Sequence, residues 1–333
     1  MSRFSGLDRR KLLNAVTVFL VIVLILSTAL LLVSLWERQQ GKFSSPNSGE
    51  PSTAISYNGT EYELRDGIET MLIMGLDKFD EAIDNSAYNN DQQADFLMLL
   101  VIDNNNSTYT GIHINRDTMA DINVLGVAGE KIDTVNQQIA LSHTYGNGKE
   151  ISCRNTADAV SDLLNNVKID HYMSLTMDAV PIIADAVGGV EVEVLDDFTG
   201  LDDTLIKGQT VSLKGDHALN YIRARQGLED SSTESRMARQ RQFLNALYEE
   251  CVEKQDADED FIADVSLKLS EQLISDCSAN KLQKMFKKLT SYEFGNINTI
   301  EGEFKNGERF VEFYADKDSV MKVVIEAFYK EKN

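Results

Sequence analysis

Two stretches of this chain, "TMLIMGLD" at residues 70–77 and "FLMLLVID" at 96–103, are apolar almost without interruption. A strand with one wet face alternates apolar and polar residues, whereas a short unbroken apolar run is buried on both faces. A sheet containing such strands must be covered on each side, and helices are the elements that cover it. "NNNS" at 104–107 reads as a turn into a third strand, "TYTGIHI" at 108–114, and the three together predict the centre of one sheet.

The helices are legible in the remainder. "NTADAVSDLLN" at 155–165 has helical spacing with Asn155 as its cap, and "MDAVPIIADAV" at 177–187 is a helix stopped by Gly188 and Gly189. "VEVEVLDD" at 190–197 alternates as a strand, "ARQRQFLNALYEECVEK" at 238–254 is an amphipathic helix, and 258–289 offers two more helical segments. The end reads as strands about Asn306-Gly307 followed by a closing helix. The fold class is α/β or α+β, helices covering a sheet.

From Leu12 to Trp36 there are 25 residues without a charge, enough at about 1.5 Å per residue to span a bilayer core of about 30 Å. Arg3, Arg9, Arg10 and Lys11 precede the run against Asp8 alone, which predicts a cytoplasmic N-terminus, an uncleaved signal anchor and an exported remainder. Residues 37–66, rich in Ser, Gly and Asn, are expected to form a stalk. The expected organisation is a cytoplasmic tail (1–11), a transmembrane anchor (12–36), the stalk, a main domain (67–254) and a C-terminal extension packed on it (255–333). The formal net charge is -21, which argues against nucleic acid or an anionic lipid surface as the general partner. Cys153, Cys251 and Cys277 form no CxxC pair; one bridge between Cys251 and Cys277 and three free thiols both remain open. The histidines at 113, 143, 171 and 217 lack metal-ligand spacing.

In so acidic a chain, "YIRARQGLEDSSTESRMARQRQF" at 221–243 gathers Arg223, Arg225, Arg236, Arg239 and Arg241. Read as extended, Ile222 to Arg225 directs Arg223 and Arg225 to one side. Ser231 and Glu234 have the spacing of a capping box, which puts Arg236, Arg239 and Gln240 in the first turns of a helix. The helix dipole disfavours cations there unless an anion lies between them, and guanidiniums with helix N–H groups suit phosphate or pyrophosphate. Pairing with Glu229, Asp230 and Glu234 is the simpler alternative. "INRDT" sets Arg116 and Asp117 just past a strand end, where open α/β sheets gather ligands. Asp77 and Asp95 are two carboxylates that could converge on a hard cation such as Mg²⁺.

With these motifs in this order, "MLIMGLD", "QADFLMLLVID", "GIHINRDT", "IDHYMSLTMDAVPIIADAVGGVEVEV", "LKGDHALNYIRARQ" and "SRMARQRQFLNAL", the chain resembles the LytR-CpsA-Psr family of Gram-positive envelopes over about 70–250. The resemblance implies an α/β/α sandwich with a mixed central sheet, preceded by one transmembrane helix. It implies Mg²⁺ on Asp77 and Asp95, and a diphosphate held by Arg116, Arg223, Arg225, Arg236, Arg239 and Gln240, with Gln93 beside them. The implied reaction moves a glycopolymer phosphate, teichoic acid, capsule or similar, from a polyprenyl pyrophosphate carrier to a peptidoglycan hydroxyl. Arg116 would be catalytic, and Asp117, next to it, is the candidate to take the hydroxyl proton. A non-catalytic binder or sensor of lipid-linked precursors and a polyprenyl pyrophosphate hydrolase are the alternatives. Gln93 stands where the family has an arginine, and Asn115 where it has a proline. The loop 78–92 is long and acidic.

Overall fold

The computed structural model describes residues 51–77, 92–308 and 310–332. The expected tail, membrane anchor and first part of the stalk, within 1–50, and the acidic stretch 78–91 lie outside the described residues. Among the described residues no helix is long and apolar enough to cross a membrane.

Strands β1 (Ala54–Tyr57) and β2 (Thr60–Leu64) pair about Asn58-Gly59, whose φ values of 50° and 81° are those a tight two-residue hairpin needs. This corrects the stalk expected to run to residue 66. Alternation hidden among Ser, Gly and Asn gives a hairpin whose Ile55, Tyr57, Tyr62 and Leu64 pack on the main core.

The three apolar runs form β3 (Ile68–Leu76), β4 (Ala94–Asp103) and β5 (Thr108–Ile114), neighbours at the centre of one sheet as expected, and they pair antiparallel. Strands β6 (Met119–Leu125) and β7 (Lys131–Gln138) make a separate hairpin. Helix α1 (Glu150–Leu163) begins five residues before the expected cap. Asn155 is instead buried inside it, donating to the backbone carbonyls of Asn123 (3.0 Å) and Ser142 (2.8 Å). Strand β8 (His171–Thr176) precedes α2 (Ala179–Val187), which ends at Gly188 with φ 91°. The β9 (Val190–Glu193) and β10 (Thr210–Leu213) pair leads to α3 (Gly215–Arg223) and α4 (Thr233–Ala257). Then come α5 (Phe261–Lys268), β11 (Leu273–Ser275), α6 (Ala279–Ser291), β12 (Glu293–Thr299), the hairpin β13 (Gly302–Asn306) and β14 (Val311–Ala315), α7 (Lys317–Phe328) and β15 (Tyr329–Glu331).

The central sheet runs β11-β8-β3-β4-β5-β12 and is mixed: β8 lies parallel to β3 and β12 parallel to β5. Period-two alternation sorts its side chains. Leu72, Met74, Leu97, Leu99, Ile112 and Ile114 face a core shared with Val160 of α1 and Val324 of α7. Met71, Ile73, Leu100 and Ile102 face the other way, onto Met285 and Leu289 of α6. Two covered faces account for unbroken apolar strands. Residues past 254 supply both edge strands, α7 in the larger core, and β15, which pairs with β2. They complete the sheet, where an extension packed on a finished domain was expected.

Strand register places the chemistry. Leu76 of β3 pairs with Ala94 of β4 and Thr176 of β8, and Leu97 pairs with Ile114 of β5. Asp77, Asp95 and Asn115-Arg116-Asp117 therefore emerge at one end of the sheet.

Candidate functional site

A pocket of about 880 Å³ opens at that end. Four arginines line it, Arg116, Arg223, Arg225 and Arg236, against three aspartates, Asp77, Asp95 and Asp117; Gln93, Gln138 and Asn220 add neutral polar groups. In a chain of net charge -21 this is a local excess of cations.

Arg223 and Arg225 reach it from an unexpected local structure. The stretch expected to be extended is the end of α3, where Ala218, Tyr221 and Ile222 are buried at i, i+3 and i+4 and override the two-residue alternation. Ala224 ends the helix with ψ 135°. The two arginines thus come from a helix end and the segment after it, yet both line the pocket. Arg223 Nη2 lies 3.3 Å from Asp77 Oδ1.

The end of α3 is held from behind. Arg239, with no exposed surface, donates Nε to Tyr221 O at 2.8 Å, a second nitrogen to Ala224 O, and a third to Asp196 Oδ2 and to Ser235 Oγ at 3.0 Å. Gln240 Nε2 approaches Ile222 O at 3.4 Å. Helix C-termini leave carbonyls without partners and favour cations, and these two side chains answer both needs. Neither lines the pocket, so Arg239 and Gln240 are corrected from diphosphate ligands to supports of the segment carrying Arg223 and Arg225.

The second arginine helix starts one residue later than its expected box. Ser232 caps α4, its Oγ accepting from Ser235 N at 3.1 Å, because Thr233 is already helical. Arg236 follows in the next turn. Only 8% exposed, it leaves Nε buried without a hydrogen-bond partner, and its pKa is pulled down to about 10, first by burial and then by Arg225.

Arg116 contacts Asp95 through Nη1 and donates Nη2 to Gln93 Oε1. Its Nε is 3.4 Å from Asp117 Oδ1 but makes no aligned hydrogen bond, and Asp95 Oδ1 likewise accepts none. Burial lowers the Arg116 pKa, Asp117 opposes the shift, and Arg236 and Arg225 add to it. Asn115 performs the turn in place of proline: its Oδ1 accepts from Asp117 N at 2.9 Å and its carbonyl from Thr118 N at 3.1 Å.

Asp117 is 4% exposed and held at both oxygens, Oδ1 by Gln138 Nε2 (3.1 Å) and Oδ2 by the Thr233 hydroxyl (2.9 Å). Two accepted bonds leave a carboxylate further acceptor capacity. Sequence reasoning missed Gln138 and Thr233, since nothing local distinguishes them from other polar residues at a strand or helix end. Arg241 turns away, its Nη1 3.5 Å from Nδ1 of buried His113. The thiols of Cys153, Cys251 and Cys277 are free. His171, Asp276 and Cys277 bring ligand atoms within 4.8 Å of one another, but Lys281 Nζ already lies 2.5 Å from His171 Nε2.

Buried guanidinium N–H groups without acceptors cost about 1–3 kcal/mol each, and like charges driven together cost more. A bound anion with several oxygens relieves both. The arrangement can therefore hold a phosphate or diphosphate beside a positioned carboxylate.

The sequence model of the LytR_cpsA_psr family matches residues 34–326. The cell wall biosynthesis protein LcpA of Corynebacterium glutamicum is 26% identical over 259 residues, 69% of this chain and 49% of that protein. TagU of Halalkalibacterium halodurans, a polyisoprenyl-teichoic acid–peptidoglycan teichoic acid transferase, is 31% identical over 156 residues, 46% of each chain. The match thus spans about half the length of these relatives. Among solved structures, Bacillus subtilis TagV superposes with a TM-score of 0.59 at 22% identity, covering 79% of this chain and 98% of that one. TagT bound to LI-WTA gives 0.58 at 18% identity over 84% and 96%. At these identities the likeness is one of fold.

Proposed function

This chain belongs to the LytR_cpsA_psr family, and from that premise we propose that it transfers a glycopolymer phosphate from a polyprenyl pyrophosphate carrier to a hydroxyl of peptidoglycan. The observation that carries the reading is the pair of desolvated arginines that line the pocket: Arg236, with Nε buried and unpartnered, and Arg116, whose buried Nε makes no aligned hydrogen bond and only a 3.4 Å ion pair with Asp117. A diphosphate supplies the missing acceptors. Relatives named as teichoic acid transferases and as a cell wall biosynthesis protein support the substrate class.

In this reading Arg116, Arg223, Arg225 and Arg236 bind the diphosphate and stabilise the charge that grows on its oxygens as the bridging bond breaks. Arg116 and Arg236 are in place before substrate arrives, and Arg239 holds the backbone that carries Arg223 and Arg225, which limits the reorganisation that accompanies reaction. Asp117 accepts the proton of the attacking hydroxyl, aimed by Gln138 and Thr233.

Asp77 and Asp95 fit a magnesium site: they are hard oxygen donors at the ends of adjacent strands on the same pocket, and each faces one arginine that the ion would displace, Asp95 Oδ1 at Arg116 Nη1 and Asp77 Oδ1 at Arg223 Nη2. When bound, the ion would neutralise charge on the diphosphate oxygens. The proposed setting is the outer face of a Gram-positive-type cell membrane, the chain held by a single span at 12–36 and its N-terminus cytoplasmic.

Purification of the full chain in detergent, followed by mass spectrometry of extracted lipid, tests the binding half. Polyprenyl phosphate or pyrophosphate is expected in the wild type and is lost from Arg236→Ala. Equal lipid in both would remove the basis of the proposal.

A further inference from the structure

The β13–β14 hairpin is attached directly to the candidate proton acceptor. Every residue of β13 is exposed, and in β14 only Phe313 is buried. Phe313 N donates to Asp117 O at 2.9 Å, and Thr118 bridges to Phe313. Gln138 Nε2 is shared between Val311 O (2.7 Å) and Asp117 Oδ1 (3.1 Å). A displacement of the hairpin therefore moves the Asp117 backbone and carboxylate with it.

On this hairpin Phe310 and Val311 are 55% and 46% exposed and both line the arginine pocket. Anion binding uses neither. We infer that they form the acceptor ledge of the site, with the Phe310 ring seating the apolar face of a pyranose in the acceptor glycan so that a hydroxyl meets Asp117. The inference rests on the transfer reading above and says from which side the acceptor enters.

The carrier's isoprenoid chain is the less suited occupant. It needs a continuous apolar path, and the hairpin offers about one ring's worth of surface with water on its other face. Phe198 and Leu201, the other large apolar residues of the lining, lie in the loop between β9 and β10. Phe198 belongs to an apolar cluster with Val192, Val194 and Leu205, which is the environment a hydrocarbon prefers. A sugar needs one ring face and polar surroundings.

The test uses the full chain in detergent, farnesyl diphosphate-linked N-acetylglucosamine as donor, and soluble un-crosslinked peptidoglycan strands as acceptor. Phe310→Ala is expected to raise the half-saturating acceptor concentration about tenfold, the size of one lost aromatic contact. Donor affinity stays unchanged, and Phe310→Tyr restores acceptor use. Phe310 is exposed, so the alanine variant keeps its fold, checked by its melting temperature. Normal donor turnover with unchanged acceptor dependence in Phe310→Ala overturns the ledge alone. An effect confined to donor affinity does the same and assigns the hairpin to the carrier. Wild-type protein that binds no donor overturns the transfer reading, and the ledge with it.

Discussion

Arg239 and Arg236 lie three residues apart on α4, are both buried, and are expected to fail in opposite ways. Arg239→Ala removes the cation that contacts Asp196 and Ser235, caps α3 through Tyr221 O and Ala224 O, and lies 5.6 Å from the Phe198 ring centroid. Removing one partner of a buried ion pair costs about 3–5 kcal/mol. Asp196 keeps 14% of its side chain exposed, so the lower part of the range applies, about 3–4 kcal/mol. At about 2–4 °C per kcal/mol, the melting temperature falls by about 6–16 °C. Arg236→Ala instead deletes a desolvated guanidinium with an orphan Nε, and stability changes by less than about 1 kcal/mol. Diphosphate affinity then falls about tenfold to a hundredfold, the worth of one or two charge-assisted hydrogen bonds. Urea unfolding of the full chain in detergent, paired with farnesyl diphosphate titration, reads both quantities. An Arg239→Ala protein of wild-type stability that no longer binds diphosphate would refute the assignment of Arg239 to the scaffold.

Acid stability follows from two buried histidines. His113 and His143 are 1% and 0% exposed, and burial holds their pKa values at about 3 and about 4. The unfolded chain takes up these protons near 6.5 while the folded one does not, so stability falls as pH drops from 6.5 toward 4. Each histidine contributes about 2 kcal/mol of loss by pH 5, and His113→Leu should shrink the pH 7-to-5 difference by that amount in urea titrations; an unchanged difference would contradict its burial as a neutral group. Thr233→Val frees Asp117 Oδ2 and should lower kcat of transfer about tenfold with donor affinity kept, read by steady-state kinetics, whereas a pure affinity loss would exclude a positioning role. Magnesium depletion should lower transfer by Asp77→Asn far less than by wild type, since the variant has already lost one ligand; equal sensitivity would place the ion elsewhere.

The fold was legible where burial writes directly into composition. Continuous apolar strands required cover on two faces, and β3, β4 and β5 have it. The β1–β2 hairpin carried its Asn58-Gly59 signal but lay inside a Ser- and Gly-rich stretch whose composition suggested a linker. The edge strands β11 and β12 are set by pairing with β8 and β5, partners about 100 and 185 residues away, which periodicity does not reveal. In the site, Asp77, Arg116 and Asp117 were legible as residues just past apolar strands and Asp95 at the start of one, whereas it was the resemblance that joined Arg223, Arg225 and Arg236 to them; all seven line one pocket. They were not enough to separate Arg236 from Arg239. Both are arginines on the same helix, and only the path of α3 beside them makes one a wall and the other a cap. Gln138 acts across the fold, on Asp117 and Val311 together, and has no local signature.

Product analysis of a reaction with a phosphorus-labelled donor tests the transfer most directly. Full-length protein in detergent with Mg²⁺ is given polyprenyl pyrophosphate-linked glycan, labelled at the phosphate next to the sugar, and un-crosslinked peptidoglycan. The label is predicted to move to the peptidoglycan as a phosphodiester, with polyprenyl phosphate released, and to stay on the donor with Arg116→Ala. Label recovered as free glycan phosphate, or remaining on a donor that the wild-type protein binds but does not turn over, would contradict the account.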